Sequence, residues 1–143
     1  MRSLVSLVCL LIFCGCGDKT TLQLSLQFPD IREEHFSQYI QNVQEYEILF
    51  RGNFGEKRTV VNRSNGPIHL EQDEIPFDDQ LIIIVNVRGR GFDGVTWTEP
   101  VDLAHCEAKP PIRWYKGRKD PATIQCLLSE IGKATYEQNI IHS

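Results

Sequence analysis

Eleven residues toward the C-terminus, Lys109-Pro-Pro-Ile-Arg-Trp-Tyr-Lys-Gly-Arg-Lys119, hold five cations and two large aromatics. Lys109, Arg113, Lys116, Arg118 and Lys119 suit anionic lipid head groups or a polyanionic glycan. Trp114 and Tyr115 can stack on a ligand or sit at a membrane interface. The competing and preferred reading is a loop whose tip is basic and whose Trp114 packs on the core.

His105, Cys106, Cys126 and His142 are the one set that resembles zinc ligands, but their spacing fits no zinc module. An adjacent His-Cys pair on a strand does not readily face one ion, so no metal is expected. Glu71, Asp73, Glu74, Asp78 and Asp79 form an acidic run without the alternating oxygens, central glycine and terminal Glu of a calcium loop. They read as a solvated loop that discourages strand pairing. Neither a Gly-x-Ser-x-Gly elbow, a His-Glu-x-x-His pair nor a phosphate-binding glycine loop occurs. Ser64, in Arg63-Ser-Asn-Gly66, belongs to a turn. The expectation is a non-enzyme without cofactors.

At the other end, Arg2 precedes an apolar run from Leu4 to Phe13, followed by small residues around Cys16. About ten apolar residues are too few for a bilayer span, which takes about twenty. A charged start, a short apolar stretch and a small-residue cleavage site read as a secretory leader, residues 1–15. The sequence Phe13-Cys-Gly-Cys16 resembles the lipobox of bacterial lipoproteins. That resemblance implies cleavage before Cys16 and acylation of its sulfur and new amino group. Residues 16–20 are then a lipidated tether of at most about 14 Å. In two-membrane bacteria, Asp directly after the lipidated cysteine resembles an inner-membrane retention signal. Here Gly17 holds that place and Asp18 follows, which favours the outer membrane.

Cleavage leaves about 127 residues, enough for one domain with its own core. Without Arg2, 14 Lys plus Arg face 19 Asp plus Glu, a formal charge of −5. That balance and the exported location argue against nucleic acid as a partner. Of five cysteines, Cys9 and Cys14 leave with the leader and Cys16 is acylated. Cys106 and Cys126 remain, a pair expected to form a disulfide in an oxidising compartment, with two buried free thiols as the alternative.

The mature chain reads as strands separated by turns. Leu22 to Phe28 alternates apolar and polar residues, and Tyr46, Ile48 and Phe50 mark a second strand. Between them, Phe36, Tyr39, Ile40 and Val43 have helical spacing, which suits a short helix or an irregular connection. Gly52-Asn-Phe-Gly55 turns into a strand over Arg58 to Asn62. Leu81 to Val87 is apolar on both faces, as a central strand requires. Gly89 to Gly94 reads as a hairpin loop, with Val95 to Leu103 returning. Leu81-Ile-Ile-Ile-Val-Asn-Val-Arg-Gly-Arg-Gly91 with Trp97-Thr-Glu-Pro-Val101 is similar to the last two strands of a fibronectin type III domain, and Tyr46 to Arg51 to its third. The resemblance implies a mainly β, antiparallel immunoglobulin-like sandwich over residues 21–103.

Residues 104–143 then form a disulfide-linked extension packed on the sandwich. Asp120-Pro121 offers a cap and a first-turn proline; Ile124, Leu127, Leu128 and Ile131 follow at helical spacing, with Gly132 as a stop. The alternative is a strand that puts Ala122, Ile124, Cys126 and Leu128 on one face. In function, a membrane-anchored lipoprotein of the cell envelope is expected, acting on an envelope protein partner or in envelope assembly. The alternative is a glycan- or lipid-binding lipoprotein using residues 109–119.

Overall fold

The structure is a computed structural model and describes residues 20–64 and 66–141. The leader, Cys16 and His142 lie outside the described residues. The chain is mainly β, as expected, and its described part ends in a helix. Its strands are β1 (Thr21–Gln27), β2 (Val43–Gly52), β3 (Gly55–Asn62), β4 (Ile68–Glu71), β5 (Asp78–Phe92), β6 (Trp97–Glu107), β7 (Ile112–Trp114) and β8 (Ala122–Leu128). Helix α1 (Glu33–Tyr39) precedes β2, and α2 (Glu130–Ile141) ends the described chain.

The strands follow one hydrogen-bonded path, β3-β2-β5-β6-β8-β1-β4, with β7 paired to β5. The sheet curls until it is nearly a barrel, with β3 and β4 at its two ends. That curvature does not give the two facing sheets of the expected immunoglobulin-like, fibronectin type III-like sandwich. The expected boundary between 103 and 104 falls inside β6, and β8 occupies the middle of the path, between β6 and β1.

β5 is the central strand that its two apolar faces require. Leu81, Ile83, Val85 and Val87 are fully buried, while β2 and β6 pair along its two edges. The strand continues through Gly89 and Gly91, where a hairpin loop was expected. A Cβ at Gly89 would stand 2.0 Å from the Asn42 carbonyl oxygen, and one at Gly91 would meet Ile131 and Val101 at 2.6 and 2.7 Å. These glycines serve close packing, not chain reversal. The turn comes later, where the Asp93 carboxylate accepts the N–H groups of Val95 and Thr96, each at 2.8 Å.

Residues 122–128 form a strand, correcting the helical reading. Ile124 and Leu128, four apart, share a face in either geometry, so they do not discriminate. Cys126 and Leu127 do. Cys126 is fully buried, whereas Leu127 is 63% exposed. β8 runs parallel to β1 and antiparallel to β6, so its backbone groups are taken up on both sides. Cys106 and Cys126 face each other in register and are joined by a disulfide, with Cα atoms 4.1 Å apart.

The C-terminal helix begins where the sequence reading ended one. Ser129 Oγ accepts the Gly132 N–H at 2.9 Å, a side-chain cap on the orphan donors of the first turn, and donates to the Asp102 carbonyl at 2.7 Å. Gly132 therefore lies in the first turn of α2. A Cβ there would be 2.0 Å from the Leu103 carbonyl oxygen, so only glycine lets the helix seat on β6. Farther along, Thr135 Oγ1 accepts the Phe92 N–H at 2.8 Å. The phenol of Tyr136 accepts the Arg32 N–H at 2.9 Å, which ties α2 to the start of α1. Gly132→Ala is expected to destabilise the fold by about 1–3 kcal/mol, the range for overpacking against groups that cannot move aside. Denaturant unfolding checks this; an unchanged midpoint would mean that the helix does not sit this close to β6.

Candidate functional site

The basic-aromatic segment divides into core and surface. Trp114 is 1% exposed, its indole N–H donates to the Ile75 carbonyl at 3.0 Å, and its ring packs on Phe77 with centroids 5.1 Å apart. It belongs to the interior, the preferred reading of the sequence. Tyr115 points outward at 42% exposure, with the Arg113 guanidinium 5.3 Å above its ring. Arg113 also lies 3.7 Å from Asp79, and Lys109 3.4 Å from Glu107. Arg118 is structural: it donates to the carbonyls of Arg113 and Asp120 at 2.6 and 3.0 Å. Lys109, Arg113, Tyr115, Lys116 and Lys119 face outward, with Lys109 and Arg113 within ion-pair reach of carboxylates.

The segment's turn is fixed to the chain's entry into the fold. Gly117 adopts φ 89°, a left-handed conformation that glycine reaches without a steric penalty. Its N–H donates to Thr20 Oγ1 at 2.8 Å. Thr20 is held from its other side by Gln72, whose side-chain oxygen accepts the Thr20 N–H at 2.8 Å and whose own N–H reaches the Thr20 carbonyl at 2.9 Å. The first turn of the acidic run therefore borders the same end, with Glu71 opposite Thr21 in the sheet.

The other chemical candidates are dispersed. His105 faces outward and exchanges a hydrogen bond with Asn86 at 2.9 Å, while the neighbouring Cys106 points inward to its disulfide. Asn86 continues to Glu47 at 3.0 Å, and Glu47 meets Arg58, giving a polar ladder across β6, β5, β2 and β3. The Asn86 amide and the arginine charges hold the Glu47 carboxyl below its ordinary range. In the acidic run, Asp78 turns inward. Its carboxylate accepts the Asn53 N–H at 2.6 Å and the Gln80 N–H at 2.8 Å, clamping the β2–β3 turn.

A different feature was not legible in the sequence. The two ends of the curled sheet leave a cleft of about 420 Å³ between β1, α1, the β2 residue Tyr46 and residues 63, 64 and 66–68. Leu26 continues the inward face of Leu22 and Leu24 but is only half-buried, because it opens onto this cleft. Phe36 lines it from α1, Ile40 from the turn that follows α1, and Ile68 from β4. Among the described residues, its one charged lining residue is Arg63. Burial pushes the Tyr46 phenol above its ordinary value, and the Arg63 charge partly opposes that shift. The only hint in the sequence was negative: Phe36 and Ile40 have helical spacing but no partner nearby in the chain.

Two outcomes follow from this placement of residues. Trp114→Ala is expected to cost about 3–5 kcal/mol, the range for deleting a buried aromatic, while Lys116→Gln leaves the unfolding midpoint unchanged. A tolerated Trp114→Ala would put the indole at the surface after all. The two N–H donors lower the Asp78 carboxyl in the folded state. Its contribution is complete above the ordinary carboxylate value of about 4 and is lost as pH falls below it toward the lower folded value. The unfolding midpoint should stay level from neutral pH to about 5 and then drop on acidification, and Asp78→Asn should make that drop shallower. Parallel profiles for the two proteins would remove Asp78 from the acid response.

No family model matches the chain, and neither a curated protein nor a solved structure is significantly similar to it, so the reading of these surfaces rests on their own chemistry.

Proposed function

We propose that this protein is a non-enzymatic binding module of a bacterial cell envelope, held to a membrane by acyl chains on Cys16 and acting through contact with another envelope protein. The observation that carries the reading is the anchoring of Thr20, four residues after Cys16, by Gly117 and Gln72. A lipidated cysteine there leaves a tether of at most about 14 Å, so the body lies against the bilayer with a defined end toward it. Two or more acyl chains hold such a body stably where one does not. Lys116 and Lys119 flank that end. The cleft opens at the far end of β1, about 20 Å away at 3.3 Å per strand residue, and so faces the periplasm or the medium. Asp18, one place beyond the retention position, favours the outer membrane in a two-membrane cell.

The alternative, a glycan- or lipid-binding lipoprotein using residues 109–119, is narrowed by the burial of Trp114. What remains is Tyr115 beneath Arg113, with Lys116 and Lys119 beside it. That group is better suited to resting on head groups next to the anchor than to enclosing a sugar.

Intact mass of the native protein should show a chain beginning at Cys16 and carrying acyl mass. The Cys16→Ala variant should lose that mass and move from the washed membrane to the soluble fraction. A Cys16→Ala chain that is processed normally and stays with the bilayer defeats the proposal. If an acylated protein bound purified glycan and that binding vanished with Lys116→Gln and Lys119→Gln together, the alternative would be favoured.

A further inference from the structure

We infer that the seam cleft is a binding site for a small organic monocarboxylate with an apolar body, the carboxylate on Arg63 and the body among Leu26, Phe36, Ile40 and Ile68. The inference does not depend on Cys16.

The case begins with Arg63. Its Nε donates to the Val43 carbonyl at 2.8 Å and its backbone N–H to the Gln44 carbonyl at 3.0 Å, so the guanidinium is fixed at its root. Five other arginines, Arg32, Arg51, Arg58, Arg88 and Arg113, each lie within ion-pair distance of a carboxylate. Arg90 lies over the Trp97 ring, and Arg118 spans two carbonyls. Among the described residues Arg63 has no carboxylate partner, although the chain carries a formal charge of −4. A guanidinium rooted through its Nε and lining a cleft keeps two terminal nitrogens, a fork that matches a carboxylate.

The rest of the lining sets the body of the ligand. Among the described residues no acidic group lines the cleft, and the walls beside Arg63 are mostly aliphatic and aromatic, with Tyr46, Ser25, Ser37 and Ser64 as neutral polar groups. Small-molecule sites run about 300–1,000 Å³, are mostly apolar and carry a few oriented polar groups. At about 420 Å³ the cleft sits at the small end of that range. Phe28 and Phe36, in ring contact at 5.5 Å, line the cleft where β1 ends, and β1 itself already pairs with β4 and β8. A compact acid therefore fits better than an extended peptide. A phosphate or sulfate would leave the apolar walls wet, and a neutral lipid would leave Arg63 unused.

The test is calorimetric titration of the purified full chain in zwitterionic nanodiscs, corrected against empty discs. The ligands are hexanoate, octanoate and 4-phenylbutyrate, with 4-phenylbutyramide as the neutral isostere. At least one acid should bind, the amide should bind about tenfold more weakly or worse, and Arg63→Gln should cost a similar factor. Tyr46→Phe, which keeps the packing, should weaken binding severalfold, so the proposal remains testable if Arg63→Gln disturbs the fold. Amide shifts of Leu26 and Ile40 on adding acid would localise the site. Arg90→Gln, away from the cleft, should change nothing. Equal binding of acid and amide, undiminished binding by both cleft variants, or no acid bound at millimolar concentration overturns the assignment. So does tighter binding of an apolar peptide with a free C-terminal carboxylate than of any small acid.

Discussion

Insertion of β8 between β6 and β1 is the constraint on which the remaining structure depends. Without it the hydrogen-bonded path falls into two pieces, β3-β2-β5-β6 and β1-β4, with no backbone link between them. With it, parallel pairing to β1 and antiparallel pairing to β6 join strands from the two ends of the chain. The Cys106–Cys126 disulfide lies across this junction, in register on the buried face. Closing a loop of 20 residues contributes about 3 kcal/mol through the unfolded state in the chain-entropy model. The covalent link thus secures the joint where sequence-distant pieces must meet, which is also where loop-closure entropy opposes folding most.

The curl produced by that joint accounts for both surfaces of interest. A sheet that almost closes brings its first and last strands near one another without pairing them, and the gap becomes the cleft. Helix α1 and the turn after it border that gap and contribute Phe36 and Ile40, while Tyr39 turns away to the interior and packs edge-on against Tyr136 at 5.9 Å. At the other end of β1, the turn at Gly117 closes on Thr20. One strand, β1, therefore has the Gly117–Thr20 contact at its start and the cleft at its finish. A rigid strand of this kind fixes the distance and direction between its two ends, which a flexible linker does not.

Charge is distributed to match this division. Most arginines are neutralised by carboxylates on neighbouring strands, as in the ladder from His105 through Asn86 and Glu47 to Arg58. Such exposed pairs add little stability individually. They keep the outer face of the sheet polar, which shields strands that would otherwise offer surface for association. Against that background, Arg63 stands out among the described arginines as one that has no carboxylate partner and lines an apolar cleft.

What was legible in the sequence is what local geometry sets. Period-two alternation placed β1 and β2, apolar residues on both faces marked β5 as central, and the even cysteine pair pointed to a disulfide. Side-chain direction in a strand follows from its own backbone, so no partner is needed to read it. The sequence by itself also specified the leader-like residues before Cys16, since charge, apolar length and small residues are one-dimensional signals. Tertiary structure alone decided between helix and strand for residues 122–128, because Ile124 and Leu128 satisfy both periods and only the slot between β6 and β1 selects one. It likewise gave Gly89, Gly91 and Gly132 their roles, which come from backbones arriving within 2–3 Å from elsewhere in the chain. The cleft was hidden for the same reason: Leu26, Phe36, Tyr46, Arg63 and Ile68 are ordinary in sequence, and chemistry emerges only when an unclosed sheet sets them around one space.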